Sequence, residues 1–227
     1  MKKQLVIAEK PSVARDIARV LGCRQKGSSF MEGDQYIVTW ALGHLVTLAD
    51  PEQYGNQYKQ WSMDTLPFLP KEFKYQVIDG VKKQFLTVKK LLTRPDVDTI
   101  YVCTDSGREG EYIYRLVEQE AHVQGKKRLR VWIDSQTEEE ILHGIATAKD
   151  LSAYDNLASA AYLRAKEDYL MGINFSRLLS LKYGQSISSC MGTRYTVISV
   201  GRVMTCVLGM IVRREREIRA FVKTPFY

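Results

Sequence analysis

With 227 residues and 45% hydrophobic composition the chain can bury one or two cores, and 26% charged residues is the proportion of an ordinary globular protein, which excludes a disordered one. The net charge of +7 is unevenly placed: residues 151–227 hold 11 Lys and Arg against 5 Asp and Glu, whereas residues 1–150 hold 22 against 21. The four cysteines form no C-x-x-C pair and read as reduced thiols, and no apolar run reaches signal-peptide or membrane-spanning length, so a soluble, cytoplasmic protein is expected.

In chain order, Leu5–Glu9 reads as a short buried strand, followed by a helix over Pro11–Leu21. Pro11 suits a first helical position, Val13, Ile17 and Val20 trace the apolar stripe, and Gly22 stops it. Gln35–Leu42 predicts a second strand that ends at Gly43-His44. From Asp50 to Gly80, Pro51, Pro67 and Pro70 punctuate an ordered surface connection. A helix over Val81–Thr93 places Phe85, Val88, Leu91 and Leu92 on one face. Strand Thr99–Thr104, helix Glu109–Val123 and strand Leu129–Asp134 follow. Thr137 with Glu140 forms a capping box that opens the next helix. This alternation predicts an α/β fold with a mostly parallel four-stranded sheet flanked by helices on both faces.

From Ser152 the pattern becomes wholly helical, with one stripe running to about Tyr183. The Ser- and Gly-rich stretch Gly184–Arg194 predicts a mobile loop, and a second helix is expected over Gly201–Arg219. The expected organisation is therefore one domain over residues 1–150, a partial all-α segment over 151–220, and the start of a strand over 221–227 that belongs to a longer chain.

The chemistry concentrates where strands end. Asp105, Glu109 and Glu111 arrive within one strand-to-helix turn, at the carboxyl edge where open α/β sheets place their sites. Three close acids repel unless a cation joins them, and hard oxygen ligands suit Mg2+. The alternative is that Glu109 and Glu111 only complement a helix dipole. Glu9 and Lys10 close the first strand in the same way. If the two strands are parallel neighbours, Glu9, Asp105 and Glu109 converge beside Lys10, a set suited to a phosphodiester. No Gly-x-x-x-x-Gly-Lys loop exists, so no nucleotide cofactor is expected. Tyr169–Arg214 contains no acid, several arginines, and Phe175, Tyr183 and Tyr195, the composition of a surface for a polyanion with unpaired bases. His44 is kept outside the catalytic set, and the tryptophans Trp40, Trp61 and Trp132 are read as packing.

Glu9-Lys10-Pro11-Ser12, Gly43-His44-Leu45, Asp105-Ser106-Gly107-Arg108-Glu109-Gly110-Glu111 and Ser199-Val200-Gly201-Arg202-Val203 resemble, in order and across nearly the whole chain, the type IA DNA topoisomerases, with wording closest to the bacterial topoisomerase III branch. The resemblance implies a Toprim (Rossmann-like) domain followed by the opening helices of a single-stranded-DNA domain. It implies an isomerase that breaks and rejoins one DNA strand through a 5′-phosphotyrosyl link, without ATP and with Mg2+. In that scheme Glu9, Lys10 and Arg202 are catalytic, Glu9, Asp105 and Glu109 hold the metal, and Arg164, Arg177, Arg194 and Arg202 bind single-stranded DNA at the nucleoid. Three departures stand out. Gly107 occupies a position where the family commonly has a second aspartate, and Met204-Thr205-Cys206 replaces its usual Gln-Thr-Pro or Gln-Ser-Pro. None of the 13 tyrosines lies in the family's Tyr-x-Arg-Ser/Thr-Asp/Glu setting, so this chain is expected to bind DNA and metal without cleaving. Two rival readings stay open: a non-catalytic DNA-binding or recombination-mediator module, and a Toprim nuclease or primase.

Overall fold

A computed structural model describes residues 2–226. The chain forms two compact units, one of residues 1–49 with 73–164, the other of residues 50–72 with 165–227. In chain order the elements are β1 (Lys3–Ala8), α1 (Pro11–Val20), β2 (Gln25–Gly27), β3 (Phe30–Glu32), β4 (Tyr36–Trp40), β5 (Val46–Leu48), β6 (Tyr75–Val77), α2 (Lys82–Leu92) and β7 (Val97–Cys103). They continue with α3 (Arg108–Ala121), β8 (Lys127–Arg130), α4 (Glu138–Ala146), β9 (Lys149–Asp150), α5 (Asp155–Met191) and α6 (Arg202–Ala220).

The first unit is built on a sheet of order β2-β3-β4-β1-β7-β8-β9. Its four central strands, β4, β1, β7 and β8, are mutually parallel, the number expected from the alternating pattern, but β8 covers Lys127–Arg130 where Leu129–Asp134 was expected, so residues 131–134 are not strand. The sheet is wider than expected because short antiparallel strands extend both edges: the β2–β3 hairpin beside β4, and β9 beside β8. These strands are two or three residues long, too short to carry a period of two in the sequence. β1 is enclosed on both faces: Val6 and Ala8 join Ala14, Ile17 and Ile141 of α1 and α4 in one core layer. By the strand's alternation Leu5 and Ile7 face the other side, where α2 and α3 pack on each other and bury Phe85, Val88, Leu116 and Val117. Thr137 caps α4 as expected, its Oγ1 accepting from the Glu140 N–H.

In the second unit, Asp50–Glu72 is ordered and mostly exposed, as expected, but it is anchored by a buried side chain that composition did not single out. Phe68 is buried and meets Tyr54, Tyr58 and Tyr169 edge-on, at ring centroid distances of 5.2, 4.8 and 6.1 Å. Asn174 clamps the Phe68 backbone from both sides: its Oδ1 accepts from the Phe68 N–H and its Nδ2 donates to the Phe68 carbonyl. The predicted mobile loop over Gly184–Arg194 is corrected too, since α5 runs unbroken to Met191. Within that stretch Ser188 Oγ donates to the Gly184 carbonyl and lies 3.0 Å from Thr196 Oγ1, on a face that continues from Ser176 and Ser180 and receives the extended chain returning along α5. Ser176 and Ser180, one turn apart, accept from the Val200 and Ile198 N–H groups at 2.8 Å each. A Cβ on Gly184 would lie 2.8 Å from the Thr196 carbonyl oxygen. Small residues there allow close approach, which composition alone does not distinguish from a linker. Gly192, with φ +68°, ends the helix. Phe221–Phe226 form no strand, and Tyr227 lies outside the described residues.

Candidate metal and nucleic-acid site

β1 and β7 are parallel neighbours with Ala8 opposite Cys103, so the residues that follow leave the sheet side by side. The Glu9 side chain is nearly buried there, and its Oε2 accepts from the Asp105 N–H at 3.2 Å. Lys10 reaches across the same edge: its Nζ lies 2.8 Å from Asp105 Oδ2 and 4.0 Å from Glu9 Oε1. The hydrogen bond to the Asp105 carboxylate, followed by the charges of Asp105 and Glu9, holds the Lys10 ammonium above its ordinary range. A cleft of about 510 Å³ opens beside this pair, with Ser12, Ser106, Ser135 and Gln136 among its lining residues.

A third segment is tied to the same point. The Glu9 carbonyl accepts from the N–H groups of Leu42 (3.0 Å) and Gly43 (3.3 Å), which hold φ of +86° and +72°. A leucine in that left-handed region is strained by about 1–2 kcal/mol, a cost found where backbone geometry serves a site. The turn delivers His44, whose Nε2 lies 2.6 Å from Glu109 Oε1 and whose ring meets Tyr112 edge-on at 6.0 Å. His44, left outside the catalytic set on sequence grounds, is thus a direct partner of a site carboxylate. Its signal in the sequence was the strand-ending Gly43.

Glu111 does not belong with the other acids. Residues two apart on a helix point in nearly opposite directions, so Glu109 faces outward while Glu111 is fully buried. Its carboxylate lies between Arg130 Nε (2.9 Å, to Oε2) and Arg115 Nε (2.9 Å, to Oε1), and Arg115 also meets Asp155. Between the two glutamates, Gly110 packs so tightly on the preceding loop that a Cβ would fall 2.1 Å from the Asp105 carbonyl oxygen. Among the described residues no three His, Cys, Asp or Glu side chains stand close enough to enclose an ion. The donor chemistry nevertheless fits a hydrated Mg2+, which uses one or two carboxylates and keeps water or phosphate as its other ligands. Asp105 and Glu109 are suited to that, with side chains 51% and 69% exposed.

The arginines expected to bind DNA differ in setting. Arg164, Arg194 and Arg202 are exposed. Arg202 opens α6 and pairs with Asp168 of α5. Arg177 is buried, its guanidinium 5.4 Å from the Trp61 ring centroid, and burial lowers its pKa from the ordinary arginine value. α6 buries none of its residues. No helix among the described residues is long and apolar enough to cross a membrane.

Comparison with known proteins matches residues 4–135 to a model of the Toprim domain and residues 152–227 to a model described as DNA topoisomerase. The chain is 48% identical over 227 residues to DNA topoisomerase 3 of Shouchella clausii, 46% to that of Bacillus subtilis and 45% to that of Bacillus licheniformis. Each match covers 100% of this chain and 30% of the relative.

Proposed function

Because the chain belongs to the Toprim-domain family, we propose that it supplies the amino-terminal part of a type IA DNA topoisomerase, a cytoplasmic isomerase that acts on single-stranded DNA without a nucleotide cofactor. One observation carries the reading: Glu9, Lys10 and Asp105 meet where β1 and β7 leave the sheet. In this proposal Glu9 works through its Oε1, the oxygen not engaged by the Asp105 N–H, and passes a proton to the leaving 3′ oxygen. Lys10 offsets charge on the scissile phosphate as negative charge builds on its oxygens. Asp105 and Glu109 would hold Mg2+ with Glu9 beside them, and the ion when bound supplies charge neutralisation at the phosphate for rejoining. Arg164, Arg177, Arg194 and Arg202 contribute to the DNA grip, the exposed three through phosphate contacts. No tyrosine of this chain lies in the family's nucleophile motif, so the chain by itself binds without cleaving.

The test is a chimera in which this chain replaces the corresponding 30% of the Bacillus subtilis relative. The chimera should relax negatively supercoiled DNA in Mg2+, and Glu9→Gln should abolish relaxation. Lys10→Ala should slow it by about 10²–10³, the usual loss for one such electrostatic contact. A folded chimera that relaxes no DNA, or one indifferent to both substitutions, overturns the proposal.

A further inference from the structure

Arg130 is the largest fully buried side chain among the described residues, and no part of the proposed chemistry uses it. Its guanidinium lies beneath the loop that carries Asp105. Nη1 shares its two hydrogens among the carbonyls of Thr104 (2.7 Å), Val102 (3.0 Å) and Val131 (3.0 Å), and Nη2 donates to the carbonyl of Asp105 itself (2.8 Å). Nε donates to Glu111 at 2.9 Å. One rigid fork therefore grips the main chain at Asp105 and, through Glu111, the first turn of α3, two residues beyond Glu109. Planar guanidinium geometry makes such multiple attachment stiff in a way a lysine cannot reproduce.

We infer that Arg130, locked by Glu111, is a positioning residue that sets the spacing between the Asp105 and Glu109 carboxylates and so the divalent-cation affinity of the site. It acts from inside the core, with no reach to the ion or to DNA. Supporting contacts fix the same unit from above: the Thr104 Oγ1 donates to the Gly110 carbonyl at 2.7 Å, and the Asp105 N–H is held by Glu9. A loss at Arg130 releases the hydrogen bond that links the Asp105 carbonyl to α3 through Glu111.

The inference rests on the Mg2+ reading above, so the experiment separates the two. Mn2+ is the spectroscopic probe, its affinity for the 227-residue chain read by electron paramagnetic resonance, alongside amide hydrogen exchange of residues 104–111. Asp105→Asn tests the metal reading and should weaken Mn2+ at least 10-fold. Arg130→Lys should weaken it about 5-fold or more and speed exchange in 104–111 about 10-fold, with β1 amides little changed. Val88→Ala, a cavity in the buried face of α2, should lower the melting temperature while leaving Mn2+ affinity within twofold. If Arg130→Lys does not fold, Glu111→Leu with Arg130→Met fills the same space without charge and takes its place. Equal Mn2+ affinity in Arg130→Lys and Val88→Ala overturns the inference, as does unchanged exchange in 104–111 or failure of both Arg130 variants to fold. If the unaltered chain binds no Mn2+, or Asp105→Asn binds as well, the metal reading fails and exchange alone decides Arg130.

Discussion

Gly110→Ala isolates the coupling between α3 and the Asp105 loop. The added methyl would sit 2.1 Å from the Asp105 carbonyl oxygen and 2.8 Å from its nitrogen, whereas ordinary contact begins near 3.4 Å. The peptide must retreat by roughly 1 Å, which carries its oxygen out of hydrogen-bond range of Arg130 Nη2, now at 2.8 Å. Losing a charged hydrogen bond costs about 1.5–3 kcal/mol, and overpacking a filled site adds about 1–3 kcal/mol. Against this, alanine in a helix gains about 1 kcal/mol over glycine. The balance is a loss of roughly 3 kcal/mol, or a fall in melting temperature of about 6–12 °C at this chain length. Gly107→Ala is the internal control: its backbone is extended, with φ 176°, and a Cβ there meets nothing within 4 Å, so it should lose no more than about 1 kcal/mol, the cost of a poorer N-cap residue. Thermal unfolding followed by circular dichroism reads both. If Gly110→Ala melts with Gly107→Ala, or above it, helix propensity outweighs the loop contact and the clamp described here does not exist.

Gly107→Asp adds a carboxylate at the cap position of α3, in open space, where aspartate is well tolerated. Mn2+ affinity should rise several-fold with little change in melting temperature, and an unchanged or weaker affinity refutes the idea that Gly107 costs the site a ligand. In the first unit, burial raises the Glu32 pKa, but the hydrogen bonds and charges of Arg94 and Lys3 together outweigh it and leave the carboxyl below its ordinary 4.5. A lowered folded value means stability that is full above pH 4.5 and lost as pH falls through the folded value. Glu32→Gln should therefore cost about 1.5–3 kcal/mol at pH 7 and much less at pH 3; a gap of equal size at both, by urea denaturation, contradicts this. For single-stranded oligonucleotide measured by fluorescence anisotropy, affinity should fall with salt, and Arg202→Ala should reduce the log–log slope by about 0.7, the loss of one phosphate contact. An unaltered slope removes Arg202 from the DNA surface.

The alternating pattern of strands and helices was legible residue by residue because each central element is long enough to show its period. β1, β4 and β7 lie where apolar, β-branched runs predicted strands, whereas β8 overlaps the predicted Leu129–Asp134 only at Leu129 and Arg130; α1 starts at Pro11 and ends beside Gly22 as its caps require. Glu9, Lys10 and Asp105 could be named as partners because strand ends in a parallel sheet share one edge. Three features escaped. The hairpin β2–β3 is too short for periodicity, and Phe68 sits in a stretch that composition marks as a loop. Gly184–Met191 looks like a loop until Gly184 and Ser188 are seen packed against the returning chain at Thr196.

Local sequence determined which residues could carry charge to the sheet edge, since that depends only on strand length, caps and the chemistry of a few side chains. Tertiary structure alone decided how each charge is used. Glu109 and Glu111 are two residues apart, yet one faces solvent beside His44 and the other is buried between two arginines. Arg130 was one basic residue among 33 until the folded chain enclosed it beneath Asp105. The physical reason is that burial and partner choice are set largely by contacts between distant segments, such as His44 with Glu109, 65 positions apart, and Arg130 with Asp105, 25 apart, which no short-range pattern records.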